Sequence, residues 1–426
     1  MIPVRYFYYP QLFFSPGGGI GRRARFRSVC PKGRAGSTPV PGTKKANLCW
    51  LFYFSQLVNF NVKILLIEPY YTGSHKHWAD GYKKHSVHEI RILSMKGQFW
   101  KWRMHGGAIT LAQKFNDLDW NPDLIMATDM LDLSTFLALT KRRSYNIPTA
   151  LYFHENQLCY PWSPNDRDIQ HTRDTHYGFI NYVSALTADQ LFFNSEFHMN
   201  SFLNALPPFL KQFPDHKGLD SVDSIRKKSK SLYLGMDLKK FDGHRIDPGD
   251  KPLILWNHRW EYDKNPESFF WLLEKIMNDG HEFNLAILGE NFSQSPSIFD
   301  QAQTTFKDSI VKWGYAETFD EYARWLWKAD ILPVTSDQEF FGVSVMEAIY
   351  CNTWPILPNR LTYPELLPDK QHKDHLYSDD AEILEKVIWA IDHIEKIRAS
   401  QVRFISEPFD WKTMAPIYDK AMRSVL

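Results

Sequence analysis

Short apolar runs alternate with longer mixed segments along most of the chain. In the first half, the apolar runs predict strands at residues 62–68, 88–93, 124–128, 148–154, 190–194 and 231–234. Near-continuous apolar runs of this length are typical of parallel strands covered on both faces. A helix is predicted at residues 133–143, and Ser195 is expected to cap the next helix. Residues 69–77 are predicted to form a loop, and residues 214–230 are predicted to be irregular.

The second half repeats this alternation. Strands are predicted at residues 253–257, 284–288, 310–313, 331–334 and 354–357, and helices near 266–279, 297–307, 319–328, 343–350, 380–396 and 411–424. Strands that alternate with helices predict right-handed βαβ units, so the fold class is α/β with two doubly wound, Rossmann-like domains. A ligand is then expected in the cleft between the carboxyl ends of the two sets of strands.

Changes in composition suggest five parts in this chain of 426 residues. We assign residues 1–61 to an N-terminal extension, 62–241 to the first α/β domain, 242–251 to a linker rich in Gly, Pro and Asp, 252–408 to the second α/β domain, and 409–426 to a C-terminal helix. The length suits two such domains with additional segments.

The extension differs from the rest of the chain in charge. Residues 1–61 hold nine of the 50 Lys and Arg residues and no Asp or Glu, which leaves 41 basic against 49 acidic residues elsewhere. We expect the extension to be non-native or disordered, with translation beginning at Val62, where a GUG start codon would stand. Mass spectrometry of the native N-terminus tests this expectation. The alternative is a disordered basic arm that binds RNA.

The acidic remainder of the chain offers a polyanion no overall attraction, so nucleic acid would need a local patch of positive charge.

Cysteine usage and hydropathy indicate a cytoplasmic protein. The four Cys residues form no CxxC pair and no His/Cys cluster with metal-ligand spacing, which favours a reducing compartment. No apolar run reaches the roughly 18 residues that a membrane-spanning helix needs. The sequence gives no sign of an obligate protein partner.

The segment from Glu339 to Glu347 carries the strongest chemical signal. It follows a predicted strand and enters a predicted helix, so Glu339 is expected on a loop at the mouth of the cleft. Gly342 lets the backbone pass close to a ligand, and the N–H groups of Val343 and Ser344 belong to a helix N-terminus suited to a phosphate. The carboxylate of Glu347, a turn further on, would accept hydrogen bonds from a ribose diol. The alternative is an acidic surface on an ordinary amphipathic helix.

Two cations follow the strand predicted at residues 253–257. Arg259 and Lys264 lie five residues apart on a loop that leaves a strand end. Arginine supplies a planar fork of donors and lysine a point charge, so the two could clamp a diphosphate. The alternative is a pair of solvated surface cations.

Two strand ends of the first domain supply further candidates. Gly73 and Ser74 would place backbone donors near a phosphate or an acceptor, although their segment is not the GxGxxG fingerprint of a dinucleotide site. A two-domain dehydrogenase is therefore disfavoured. His154 ends a predicted strand and is expected to point into the cleft. The alternatives are an ordinary Gly-Ser turn and a structural histidine.

In combination these motifs resemble those of retaining nucleotide-sugar glycosyltransferases of family 4, which have the GT-B fold. The resemblance covers residues 62–426 and rests on Glu339, Glu347, Arg259, Lys264, the Gly289-Glu290 turn and Gly235-Met236-Asp237. The strings at residues 67–78 and 153–161 are most similar to one branch, the tRNA-queuosine alpha-mannosyltransferases, a glycosyltransferase-like domain-containing group. One departure is visible: the family's usual Gly-Arg is His258-Arg259 here, which should alter backbone freedom and keep the charge.

The resemblance implies a role for each candidate. Arg259 and Lys264 would stabilise the leaving nucleoside diphosphate, Glu347 would bind the ribose, and Glu339 would contact hydroxyls of the donor sugar. The implied catalytic residues are His154, beside the anomeric centre, with Glu339, Arg259 and Lys264. The implied donor-binding residues are Gly73, Ser74, Arg259, Lys264, Glu339, Gly342, Val343, Ser344 and Glu347.

The branch also implies the substrates. The donor would be GDP-mannose, bound by the second domain, and the acceptor the cyclopentenediol of queuosine in tRNA(Asp), held by the first. No cofactor and no metal are expected, because the Asp117-x-Asp119 pair follows a helix instead of standing at a suitable strand end. Front-face displacement is favoured, since no nucleophilic carboxylate is clearly placed. A stretch that mixes cations with aromatics suits stacking on unpaired bases; its residues are Lys96, Phe99, Trp100, Lys101, Trp102 and Arg103.

Two other functions stay open. A family 4 glycosyltransferase with a lipid or saccharide acceptor would need a basic amphipathic helix at the membrane surface. The helix predicted at residues 319–328 is amphipathic but not strongly basic. A non-catalytic nucleotide- or tRNA-binding protein would have no evident need for Glu339 and Glu347 together with Arg259 and Lys264.

Overall fold

A computed structural model describes residues 61–163, 166, 168, 175–290 and 296–426 of the chain. Apart from Asn61, the extension predicted at residues 1–61 lies outside the described residues. Residues Asn61–Leu426 form one compact unit. Within the described residues, no helix has both the length and the apolar character needed to cross a membrane.

The first half of this unit contains a sheet of parallel strands. They are β1 (Lys63–Tyr71), β2 (Glu89–Lys96), β3 (Leu124–Thr128), β4 (Thr149–Phe153), β5 (Gln190–Phe193) and β6 (Ser229–Ser231). The accompanying helices are α1 (Gly73–His85), α2 (Trp100–Asn116), α3 (Leu133–Ser144), α4 (His176–Thr187), α5 (Glu196–Lys211) and α6 (Ser221–Lys227). The spatial order is β2-β1-β3-β4-β5-β6. Every residue of β3 and β4 is buried, as expected for strands with helices on both faces.

The second half repeats this architecture. Its strands are β7 (Leu253–Trp256), β8 (Asn284–Ile287), β9 (Ile310–Trp313), β10 (Ile331–Pro333), β11 (Trp354–Pro358) and β12 (Leu376–Tyr377), in the order β12-β11-β10-β7-β8-β9. Its helices are α7 (Pro266–Asn278), α8 (Ile298–Thr305), α9 (Phe319–Lys328), α10 (Val343–Tyr350), α11 (Tyr363–Leu366), α12 (His372–His375), α13 (Asp380–Asp392), α14 (Ile394–Ala399) and α15 (Trp411–Arg423). Short 3₁₀ helices occur at Leu238–His244, Tyr262–Lys264, Asp369–Gln371, Arg403–Ile405 and Glu407–Phe409.

Both sheets have a point where the strand order reverses. In the first sheet the chain leaves β1 for β2 on one side and then reaches β3 on the other. In the second sheet β7 has β8 on one side and β10 on the other. Ligands of open α/β sheets bind beyond the carboxyl ends of the strands at such points. The candidate residues that follow β1, β7 and β10 therefore occupy the favoured positions of this fold.

The C-terminal helix α15 returns to the first half. The indole of Trp78 donates to the Tyr418 hydroxyl at 3.0 Å, and the Tyr82 hydroxyl donates to Asp419 at 3.1 Å. Trp411 lies so close to α1 that a Cβ added at Gly81 would stand 2.0 Å from its indole nitrogen. Glycine at that position is thus required for α15 to pack against α1 of the first half.

The structure corrects several predicted boundaries. The loop predicted at residues 69–77 is wrong, because β1 continues to Tyr71, which pairs with Lys96, and α1 begins at Gly73. Residues 214–230 contain the helix α6, and the strand predicted at 231–234 occurs earlier, as β6. The helix predicted at 380–396 is interrupted at His393. The limits predicted for β3, β9, α9 and α10 are confirmed.

Candidate active site

Lys264 is a buried cation held between carboxylates. It ends the 3₁₀ turn Tyr262–Lys264, and the chain then passes through the left-handed conformation at Asn265 (φ 52°) into α7. The Lys264 ammonium lies 3.2 Å from Asp263 Oδ2 and 3.3 Å from Glu339 Oε2, and it donates to the Gln338 carbonyl at 3.0 Å. Burial opposes the charge, but Glu339 and Asp263 outweigh it and raise the pKa of Lys264. The side chain is therefore a fixed positive charge with little water around it.

Arg259 lies on the same loop and is more open to solvent. Its guanidinium donates to Glu261 at 3.0 Å and to the Tyr160 hydroxyl at 3.2 Å. Its positive charge opposes protonation of Lys264. An anion bound between Arg259 and Lys264 would relieve this repulsion, which is the electrostatic property expected of a diphosphate clamp.

The N-terminus of α10 faces the same loop. Gly342 has φ 86° and provides no capping side chain, a conformation that favours glycine. The first N–H groups of the helix, those of Val343 and Ser344, have no acceptor among the described residues. We call the loop after β7 that carries Arg259 and Lys264 the clamp loop. Ser344 also contacts this loop, because its hydroxyl lies 3.3 Å from His258 Nδ1. The helix thus presents free donors and the positive end of its dipole.

Glu339 is a carboxylate that the structure keeps ionised. Its Oε1 accepts from the N–H groups of Phe340 at 3.2 Å and Phe341 at 3.4 Å, while Oε2 faces Lys264. Burial alone would raise the pKa of Glu339, but the Lys264 ammonium and these backbone donors hold it below its usual value. The carboxylate can accept hydrogen bonds from the hydroxyls of a sugar.

Glu347 lies further along α10. The Tyr322 hydroxyl donates to its Oε2 at 2.9 Å, and the Lys240 ammonium lies 3.8 Å from Oε1. Burial raises the pKa of Glu347, although Lys240 and Tyr322 oppose this. The loosely engaged Oε1 suits the predicted contact with a ribose diol.

In the first half, the main chain fixes His154 at the carboxyl end of β4. Its N–H donates to Asp129 at 2.8 Å, and its carbonyl accepts from Asn194 at 2.9 Å. The imidazole packs against Trp78 and Tyr152, with ring centroids 4.6 and 4.9 Å away. Its Nε2 has no hydrogen-bond partner among the described residues. Burial and the charge of His75 hold the pKa of His154 well below its usual value, so the ring is neutral.

A buried ion pair lies against this imidazole, and sequence reasoning did not single it out. His75 Nδ1 is 3.1 Å from Glu68 Oε2, and the His75 ring lies 4.3 Å from that of His154. Burial would lower the pKa of His75, but the Glu68 carboxylate raises it to about 9. A glutamate at the end of an otherwise apolar strand was the available signal, since an unpaired carboxylate is costly to bury.

Glu68, His75 and His154 could together hold a metal ion, because their ligand-type atoms all lie within 4.8 Å of one another. The Glu68 carboxylate is already occupied: Oε2 faces His75, and Oε1 accepts the Tyr70 N–H at 2.8 Å. Glu68 and His75 thus pair with each other, whereas the buried His154 Nε2 has no hydrogen-bond partner among the described residues.

Gly73 and Ser74 open α1 and are exposed to solvent. Gly73 has φ 50°, and a Cβ added there would meet no atom within 4 Å. Glycine is favoured at position 73 because of the positive φ, and no neighbouring atom would clash with a larger side chain. Their contact with a donor stays a prediction.

The residues of the stretch predicted to contact RNA differ in how accessible they are: some are exposed, and others are paired or partly buried. Phe99 and Trp102 are 76% and 62% exposed, which leaves their rings free to stack. Lys101, in contrast, lies 2.6 Å from Asp166 and also pairs with Asp168. Of the others in the stretch, Arg103 donates to the carbonyl of the exposed Lys96 at 3.0 Å, and the partly buried Trp100 packs 5.0 Å from Tyr177.

The candidate groups of the two halves face each other. The Tyr160 hydroxyl, beyond β4, contacts Arg259 and lies 3.3 Å from Asp263 Oδ2. Glu155 is close enough to Arg259 and Asp263 for their charges to affect its pKa, which burial raises. The carboxyl end of β4 and the clamp loop after β7 therefore border one cleft.

This arrangement, with two Rossmann-like sheets facing a cleft, is the GT-B fold of glycosyltransferases. Among solved structures it is similar to the HepE protein of Anabaena in complex with UDP and glucose, with a TM-score of 0.57, 13% identity, and coverage of 85% of this chain and 100% of that one. It is also similar to sucrose-phosphate synthase from Thermosynechococcus elongatus, with a TM-score of 0.61, 15% identity, and coverage of 85% and 98%. At these identities the likeness concerns the fold.

Sequence comparisons then define the family. Residues 239–406 match the family model "Glycosyl transferases group 1", and residues 63–236 match "tRNA-queuosine alpha-mannosyltransferase N-terminal". A tRNA-queuosine alpha-mannosyltransferase from Drosophila melanogaster is 34% identical over 334 residues, which are 76% of this chain and 85% of that protein. The chain belongs to the tRNA-queuosine alpha-mannosyltransferase family of GT-B glycosyltransferases.

Proposed function

We propose that this chain transfers mannose from GDP-mannose, with retention, to the cyclopentenediol of queuosine in tRNA(Asp), giving mannosyl-queuosine. One observation carries the proposal. The domain that matches the family's N-terminal region is joined to a domain whose cations and free helix N-terminus suit a nucleotide sugar. With such an acceptor, the enzyme would act in the cytoplasm.

The positive groups of the second domain would act on the leaving group. Cleavage of the bond between the mannose anomeric carbon and the phosphate oxygen builds negative charge on the diphosphate. Lys264, Arg259 and the N-terminus of α10 are aimed at that charge before the reaction begins, so they need no reorganisation in the transition state. Removing one such preorganised donor typically raises a barrier by about 3–4 kcal/mol.

The acceptor hydroxyl would attack the face that the diphosphate leaves, and its proton would pass to the departing phosphate oxygen. This front-face displacement needs no enzymatic nucleophile. Glu155, the carboxyl group closest in sequence to His154, is the alternative nucleophile, but burial raises its pKa and so disfavours the ionised form that a nucleophile needs. Neutral His154, fixed by its backbone bonds, would contact the sugar at the anomeric centre.

We further propose that transfer requires no metal ion. Two cations and a helix dipole already provide the charge that a metal would contribute to a diphosphate. Dialysis against EDTA is expected to leave the transfer rate unchanged. Loss of activity that Mg²⁺, Mn²⁺ or Zn²⁺ restores would contradict this, and the Glu68, His75 and His154 cluster would then be the first site to test.

The proposed reaction is tested by incubating the chain with GDP-mannose and queuosine-containing tRNA(Asp), then digesting the tRNA and analysing the nucleosides by mass spectrometry. A hexose added to queuosine is the expected result. UDP-glucose as donor and tRNA(Asp) with guanosine at the wobble position are the matched controls. Absence of transfer with GDP-mannose, or equal transfer to the guanosine control, would contradict the proposal.

A further inference from the structure

A segment of the first domain contacts the clamp loop of the second domain, whose Arg259 and Lys264 form the proposed donor clamp. We call residues 156–162, which follow His154 and Glu155, the bridge segment. The Tyr160 hydroxyl accepts from Arg259 at 3.2 Å and donates to Asp263 at 3.3 Å. Next to it, the Tyr262 hydroxyl of the clamp loop donates to the Pro161 carbonyl at 2.7 Å. A phenol has one donor and two acceptor positions, so Tyr160 can make both of its contacts at once.

The base of the bridge segment is held firmly in the first domain. Asn156 is buried, and its side-chain oxygen accepts from the N–H groups of Leu158 at 3.2 Å and Cys159 at 3.0 Å. The Gln157 N–H donates to Asn181 of α4 at 2.8 Å. A Cβ at Gly178 would lie only 2.5 Å from Leu158. These contacts fix where Tyr160 stands relative to β4 and α4.

The far end of the bridge segment touches the aromatic surface predicted to meet RNA. The Trp162 ring lies 6.1 Å from the Tyr177 ring, and Tyr177 packs against Trp100 of α2. The Lys101 ammonium lies 5.3 Å from the centre of the Trp162 ring. One short piece of chain therefore contacts both the donor clamp and the helix that presents Trp102.

Arg259 depends on this segment for its position. Among the described residues, its guanidinium has two hydrogen-bond partners, Glu261 of its own loop and Tyr160 of the other domain. Its side chain is 46% exposed, so packing alone does not hold it. Without the Tyr160 hydroxyl, the bond to Glu261 would be the remaining hydrogen bond that orients the guanidinium among the described residues.

We propose that Tyr160 is a positioning residue that sets Arg259 for the donor diphosphate, and that the bridge segment links this contact to acceptor binding at the aromatic surface around Trp100 and Trp102. The inference rests on the proposed function. If the link exists, queuosine-containing tRNA and the nucleoside diphosphate each tighten the binding of the other by the same factor, because coupling between two sites is reciprocal.

Tyr160→Phe tests the inference, because it removes only the hydroxyl and leaves the ring. The exposed Tyr145, 84% accessible, provides the matched control Tyr145→Phe. Binding of GDP is measured by calorimetry with and without queuosine-containing tRNA(Asp), and steady-state kinetics separate kcat from KM. We expect Tyr160→Phe to weaken GDP binding about tenfold, as for loss of one hydrogen bond to a charged group, and to abolish the effect of tRNA. Binding of tRNA measured without nucleotide should stay within a factor of about two of wild type. The tightening of tRNA binding by GDP should be lost together with the effect of tRNA on GDP, because the coupling is reciprocal.

Each outcome separates the inference from the proposed function. If wild-type chain binds no GDP, the proposed function fails. If it binds GDP and Tyr160→Phe binds equally well, with the tRNA effect intact, Tyr160 has no positioning role. If GDP binding weakens but the tRNA effect persists, the link to the acceptor surface is overturned. Equal melting temperatures of wild type and variant show that the fold is preserved.

Discussion

The two sides of the cleft differ in how far their residues can be predicted from sequence motifs. The donor side is built from residues close together in sequence: Arg259 and Lys264 share one loop, and Glu339 and Glu347 flank one helix start. The acceptor side around His154 is assembled from Glu68, His75 and Trp78, which lie far from it in sequence. Local motifs identify chemistry that one loop can supply, whereas a site made by packing several strand ends needs the fold.

The two sides also differ in how charge is used. On the donor side, Lys264 stays charged between carboxylates and faces a loop that an anion can approach. On the acceptor side, the positive charge of His75 is neutralised by buried Glu68, and His154 beside it is neutral. The donor side can attract a diphosphate directly. The side around His154 offers no net charge, and in the proposed reaction it orients the neutral sugar; variants should separate these roles.

The largest effect is expected on the donor side, from Lys264→Ala. Removal of a preorganised charge next to the leaving group should lower kcat by roughly 100- to 1,000-fold. Lys251, a surface lysine paired with Glu282, provides the control Lys251→Ala, which should retain wild-type kcat. Transfer to queuosine-containing tRNA is measured at saturating donor. A Lys264→Ala enzyme that keeps its fold and its kcat would remove the donor clamp from the mechanism.

The buried ion pair of Glu68 and His75 should affect mainly the free energy of unfolding, and kcat less. The pKa of His75 is about 9 in the folded chain, against about 6.5 when unfolded. The pair therefore contributes fully below pH 6.5, by up to about 3 kcal/mol, and this contribution is lost as the pH rises towards and past 9. The free energy of unfolding, measured from pH 6 to pH 10, should fall over that window.

The variant Glu68→Gln isolates this contribution. It should be less stable than wild type at pH 6.5 and similar to it at pH 10. The difference between the two plots of unfolding free energy against pH then reports the titration of His75. Exposed Glu282→Gln is the control. Curves for wild type and Glu68→Gln that run parallel over the whole range would show that no such pair is formed.

Sequence patterns predicted some parts of the structure closely, for identifiable physical reasons. The limits of α9 and α10 agree with the prediction, and each start has a local physical cause: the Thr318 side chain caps the Glu321 N–H at 3.2 Å, and Gly342 takes a positive φ. The continuation of β1 to Tyr71 was missed, because Pro69 suggests an end and the extra pairing with Lys96 follows an irregularity in register.

Other features depend on contacts between distant parts of the chain. Lys101 was expected to be available to RNA, but Asp166 and Asp168 neutralise it from more than 60 residues away. The contact of Tyr160 with Arg259 spans 99 residues and joins the two domains. No pattern within one segment predicts either pairing, since both arise only when the domains are assembled.

Truncation of an exposed aromatic side chain tests whether the first domain contacts RNA. Trp102→Ala should raise the KM for tRNA by roughly tenfold and leave the KM for GDP-mannose unchanged, because stacking on a base is worth about 1–3 kcal/mol. The exposed Tyr145 on α3's C-terminal side gives the control Tyr145→Ala. Equal effects of the two variants, or none from Trp102→Ala, would mean that this surface does not contact RNA.

The smallest expected effect concerns Glu347, where the donor side should show its own pH dependence. Gln keeps one acceptor for the ribose but loses the charge, so Glu347→Gln should raise the KM for GDP-mannose by about fivefold to tenfold, in line with the difference between charged and neutral hydrogen bonds. Because burial raises the pKa of Glu347, the carboxylate becomes protonated at a higher pH than an ordinary glutamate. Wild-type donor affinity should therefore decline as the pH falls through that raised value, while the affinity of Glu347→Gln, which has no proton to gain, stays level. A variant that follows the wild-type profile would assign the decline to another group and leave Glu347 without contact to the donor.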